Sequence, residues 1–145
     1  MFPNLDARRP AVLAKVAAVF LFATPCPAAP PSPEGLAFFE RKIRPVLSDH
    51  CYRCHSSKSE KLKGGLRVDT RDGLLRGGDG GPAVVPGDPG ESRLIAAIRW
   101  DDEDLRMPPK QKLPAEVVAD FGRWIEMGAL DPREAEGPAE ARAGR

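Results

Sequence analysis

Residues 50–55 read His50-Cys51-Tyr52-Arg53-Cys54-His55, a stretch that holds both histidines of the chain and two of its three cysteines. Three chemistries compete for it: a haem attached through both thiols, a zinc site, or a dithiol redox pair. The pattern Cys-x-x-Cys-His favours the first. Two thiols add to the two vinyl groups of one porphyrin and form thioethers. Two intervening residues let a single helical turn present both sulfurs to one edge of the macrocycle, and His55 follows as the proximal iron ligand. A zinc site needs four ligands. His50, Cys51, Cys54 and His55 are four by count, but adjacent residues rarely converge on one tetrahedral ion, and no Cys or His follows His55. A redox dithiol calls for a helix N-terminus in a strand–helix–strand setting, and this chain shows little strand pattern.

Composition sets the frame around that motif. A chain of 145 residues is one small domain by default, and 22 basic against 21 acidic residues leave it nearly neutral. No block of like charge speaks for nucleic acid or for a polybasic membrane surface. The 14 glycines and 16 prolines imply long irregular stretches and a side-chain core that needs help from something else. Residues 1–29 are read as a secretory signal peptide: Arg8, Arg9 and Lys15 precede the apolar run Val16–Ala23, and small residues close the segment at Ala28 and Ala29. The apolar run is too short to span a bilayer. Export therefore leaves no membrane span, removes Cys26, and leaves Cys51 and Cys54 as the remaining cysteines. With both thiols in one motif there is no disulfide framework, so whatever binds at the motif is expected to hold the fold.

Residues 30–34 read as a linker, and the domain is expected over 35–130. Leu36, Phe39, Ile43, Val46 and Leu47 share one face of a helix predicted over 35–48, with Pro45 opposite and expected to kink or shorten it. A short extended piece follows at 64–70, then one helical turn capped by Thr70. The segment 77–90, GGDGGPAVVPGDPG, excludes regular structure. A second helix buries Leu94, Ile95 and Ile98, with Ser92 as its possible cap. Asp101–Asp104 form an acidic turn, and a proline-fixed loop holds Met107. The last helix starts at Pro114 in its first turn and carries the stripe Val117, Val118, Phe121, Trp124 and Ile125. Residues 131–145 are predicted to be a disordered tail.

An electron-transfer haem calls for a sixth iron ligand. His50 sits on the proximal side of the attachment turn and Met127 flanks the last helix. Met107 lies 52 residues after His55, with two prolines behind it to stiffen its loop, and is the best distal candidate. The macrocycle itself would supply the apolar surface that the side chains lack. Arg67, Arg71 and Trp100 are candidates by residue type for contact with its propionates.

Beyond these residues the chain resembles the planctomycete-type cytochrome c domain over about residues 36–130. The resemblance rests, in order, on FFERKIRPVLSDHCYRCHS, KGGLRVDTRDGLLRGGDGGPAVVPGDPGESRLIAAI, RMPP and FGRWIEMGAL. It implies an all-α, cytochrome c-like fold wrapped around one covalent haem c. Cys51 and Cys54 match the thioether cysteines, His55 the proximal ligand, and Met107 the distal ligand. It also implies a domain that often stands at the front of longer exported chains. The expected role is periplasmic single-electron transfer with redox partner proteins rather than catalysis. A haem-based ligand sensor, or an accessory subunit of a larger exported oxidoreductase, is the alternative; a zinc or dithiol module is the remote one.

Overall fold

The computed structural model describes residues 32–133. The expected signal peptide, residues 30–31 of the linker and the tail from residue 134 lie outside the described residues. Within them the chain is helical, with no strand and a single isolated bridge between Gly78 and Gly81. The all-α expectation holds. None of the described helices is long and apolar enough to cross a membrane.

The first helix begins at Pro33, two residues earlier than the apolar spacing alone predicts, because Ser32 caps it. The Ser32 hydroxyl accepts a hydrogen bond from the Gly35 amide at 3.1 Å, and Pro33 occupies a position where no amide donor is needed. Three segments run on from one another: α1 (Pro33–Phe38), a π-helical turn (Phe39–Ile43) and α2 (Arg44–His50). The widened turn comes directly ahead of Pro45. That proline has no N–H and its ring crowds the carbonyl one turn back. Bonding from Arg44 N–H to Phe39 O, five residues apart, gives the ring room while the helix continues. Phe39, Ile43 and Leu47 stay on the inner face, each fully buried.

Two short helices follow, α3 (Arg71–Arg76) and α4 (Arg93–Arg99), and the long α5 (Ala115–Glu126) closes the domain. Thr70 caps α3 as expected, accepting from the Gly73 amide at 3.0 Å. Gly77 ends α3 with φ at +74°, and a Cβ there would run into the Gly81 carbonyl, so no other residue fits. Ser92 precedes α4 but does not cap it. Its buried hydroxyl instead accepts from Val85 N–H at 2.9 Å and donates to Asp88 O at 2.7 Å, which pins the VPGDP loop against the helix. Pro114 stands just before α5, one position earlier than expected, and its carbonyl accepts from Val117 and Val118.

Helix α5 packs against the π turn and against α4. Trp124 lies 5.7 Å from the Phe39 ring and meets Phe121 edge-on at 6.2 Å, and its indole N–H donates to Leu130 O at 2.8 Å. Burying each of these large apolar side chains contributes about 1.5–3 kcal/mol.

The packed structure runs past the expected domain end at 130. Asp131 and Arg133 form an ion pair whose side chains are 1% and 8% exposed. Arg133 also donates to Tyr52 OH and, at 2.8 Å, to Val68 O, and its guanidinium lies 4.9 Å from the Phe39 ring centroid. The end of the chain is thereby tied to the motif, because Tyr52 sits between Cys51 and Cys54. Arg133→Ala strands the Asp131 carboxylate in the interior. A loss of about 3–5 kcal/mol of unfolding free energy is expected in a denaturant titration, and a loss under 1 kcal/mol would contradict the clamp.

Candidate haem site

Cys51 caps the C-terminal end of α2, its amide donating to Leu47 O. One further turn carries the motif: Cys51 O accepts from Cys54 N–H at 3.1 Å and from His55 N–H at 3.0 Å. In a helical turn, residues four apart lie about 40° from one another around the axis, and residues three apart about 60° in the opposite sense. Cys51 and His55 accordingly face the same cavity, and Cys54 is turned to its flank, where it lines a neighbouring polar recess with Tyr52 and Arg53. The following loop locks the turn from behind. Cys54 O accepts from Lys63 N–H at 3.1 Å and His55 O from Val68 N–H at 2.8 Å. Asp69 fixes the same loop, accepting from the amide and hydroxyl of Ser57 at 2.8 and 2.7 Å. Burial opposes its charge, but those bonds and Arg67 hold the carboxyl below its ordinary range.

The cavity faced by Cys51 and His55 has a volume of about 210 Å³ and a mainly apolar lining, with Leu66, Val68, Leu94 and Ile98 among its walls. Met107 and Pro108 form another part of that wall. A chain separation of 52 residues between His55 and Met107 is thus closed by the fold. His50 is exposed at the end of α2, and Met127, half-buried, caps α5; neither lines the cavity.

Met107 is held through its main chain. Its N–H donates to Ala97 O at 3.0 Å, and its carbonyl accepts the Trp100 indole N–H at 3.0 Å. Trp100 adopts φ +65°, a left-handed conformation unusual for a bulky side chain, and this ends α4 and aims the indole back at the loop. Arg106 covers the indole at 5.6 Å. Trp100 therefore positions the Met107 loop and does not line the cavity; nor do Arg67, ion-paired to Asp69 at 3.4 Å, or Arg71. The arginine on the wall is Arg93, which residue type alone did not single out. Trp100→Phe removes the indole donor, worth about 1 kcal/mol. Exchange of the Met107 amide with deuterated solvent should quicken by about fivefold; an unchanged rate would contradict the clamp.

The residues present fit a haem. His55 Nδ1 is buried with no hydrogen-bond partner, a state that costs about 1–3 kcal/mol for a polar group and that an external ligand or metal bond relieves. One wall is made of Gly64 and Gly78–Gly81. At Gly64 and Gly81, both with positive φ, a Cβ would meet nothing within 4 Å, whereas at Gly78 it would run into Gly64 O and at Gly80 into the Arg93 guanidinium. Residues 51–111 match the planctomycete cytochrome C family. The planctomycete cytochrome C match begins on Cys51 itself and takes in the glycine wall, α3, α4 and the Met107 loop. No curated protein and no solved structure was found to match the chain.

The two other readings of the motif meet physical obstacles. Among the described residues no three His, Cys, Asp or Glu side chains cluster as a metal site requires. A reactive dithiol wants a low thiol pKa at a helix N-terminus. Cys51 stands at the carbonyl end of α2, and burial pushes its thiol up to about 11.

Proposed function

We propose that this domain binds one haem c covalently, with Cys51 and Cys54 forming the thioethers and His55 and Met107 the axial ligands, and that it moves single electrons in the periplasm without catalysing a reaction of its own. The observation that carries the proposal is the convergence of Cys51, His55 and Met107 on one mainly apolar cavity inside a span that matches planctomycete cytochrome C. When bound, the haem iron supplies a reversible ferric–ferrous couple.

The chain's own residues do the rest. Cys51 and Cys54 would hold the haem through two thioethers, each thiol adding across a vinyl double bond with its sulfur on one carbon and its proton on the other, so that no oxidant would be needed. Cys51 already faces the cavity, and Cys54 would reach it by turning from the recess. His55, locked through its carbonyl by Val68, offers a ring nitrogen that has no competing partner. Met107 offers a thioether from a loop clamped at both its amide and its carbonyl. Leu66, Val68, Leu94 and Ile98 exclude water. The cavity is smaller than the roughly 300–1,000 Å³ of typical small-molecule pockets. The cavity would therefore widen on loading, most easily beside Gly64 and Gly81, where even an added Cβ would meet nothing within 4 Å.

Export by the segment 1–29 and exchange of electrons with a separate redox protein complete the proposal. A potentiometric titration of the holoprotein tests it: one reversible single-electron wave and no carbon monoxide binding by the reduced form are expected. Carbon monoxide binding with ready displacement of Met107 would instead favour a ligand-sensing site.

A further inference from the structure

We propose that Arg93 is the counter-charge for the propionate carboxylates of the haem, an inference that rests on the haem reading above. The cavity wall is mainly apolar, and its charged side chains are Arg93 and Asp79. A haem is an apolar disc with two carboxylates at one edge. Such a ligand in such a cavity is oriented by where a cation waits, and Arg93 is the cation on this wall.

Its placement supports that role. Arg93 is the first residue of α4 and is exposed while still lining the cavity, as a group at the mouth must be. Its guanidinium lies along the glycine wall: a Cβ at Gly80 would sit 2.7 Å from Nη2 and 2.8 Å from Cζ and Nε. Gly80 is therefore what allows the planar fork to rest there, and any side chain at that position would push it off. The ion pairs found among the described residues do not engage Arg93. A guanidinium matches a carboxylate through two parallel N–H donors, which an ammonium cannot do.

The test uses the holoprotein and the step in reduction potential that follows ionisation of a haem carboxyl. An opposite charge a few ångströms away lowers a carboxyl pKa by about 1–3 units. Arg93→Gln should move the step to higher pH by about one unit, and Arg93→Lys should retain part of the effect. Arg99→Gln, on the same helix but outside the cavity lining, removes an equal charge and should leave the step in place. The titratable side chains on the wall are Cys51, His55 and Asp79. The first two are engaged by the haem, so Asp79→Asn must keep the step. An unmoved step in Arg93→Gln, an equal shift in Arg99→Gln, or disappearance of the step in Asp79→Asn would each overturn the assignment. Haem that extracts from the wild-type protein would sink the underlying reading, whereas retained haem with an unmoved step would sink Arg93 alone.

Discussion

Replacing both Cys51 and Cys54 with Ala is expected to yield a protein from which acid–acetone removes all haem, and which does not hold its fold. The second half of that expectation follows from the core. The inner face of α1–α2 and the stripe of α5 make one well-packed aromatic cluster of Phe39, Phe121 and Trp124. The other side of the domain is different. From Gly77 to Gly90 the chain is loop and turn, and its buried Ala83 and Val84 are short side chains. A cavity lies on that side, with glycines along one wall. Without a covalently anchored disc, the apolar wall faces water and the irregular loop has little to pack on. Loss of both near-ultraviolet circular dichroism and cooperative thermal unfolding is the expected result. A double variant that unfolds cooperatively near the wild-type temperature would show that the side-chain core suffices alone. The single variants separate the two sulfurs. Cys51 already faces the cavity and Cys54 has to turn toward it, so Cys54→Ala should retain a single thioether more efficiently than Cys51→Ala does.

Met107→Ala should keep haem attached but change the iron. No second thioether or imidazole lines the cavity among the described residues apart from His55. Water or an added ligand would take the open position, the ferric spectrum would move from low spin toward high spin, and the long-wavelength band that marks a methionine–iron bond would vanish. Methionine ligation raises the potential, and axial ligand identity spans about 0.8 V across haem proteins. A fall on the order of 0.1 V is therefore expected in Met107→Ala. An unchanged potential together with an unchanged low-spin spectrum would refute Met107 as a ligand.

How far the sequence alone reaches differs from one element to the next. The stripe Phe39, Ile43, Leu47 and the stripe Phe121, Trp124, Ile125 were legible because helical periodicity is local and both faces are buried. Pro45 was legible as a disturbance but not as a π turn, since that outcome depends on keeping three buried side chains in register on either side of it. Ser92 looked like a helix cap by residue type. Its hydroxyl was taken by the VPGDP loop, a partner seven residues away that spacing rules do not rank. The packing of Asp131 and Arg133 was hidden in a polar sequence, because a buried ion pair has the composition of a solvated tail. In the site, the Cys-x-x-Cys-His motif announced itself. The approach of Met107 rests on long-range closure through Ala97 and Trp100, and Arg93 became visible only once the glycine wall beside it was in place.

The most direct test of the central claim is a pyridine haemochrome spectrum of the protein, produced in the periplasm of a host with haem c maturation and then extracted with acid–acetone. Haem that stays with the polypeptide, with the absorption of a macrocycle whose two vinyl groups are both saturated, is the predicted result. Haem that leaves entirely with the solvent, or a purified protein that never held any, would contradict it.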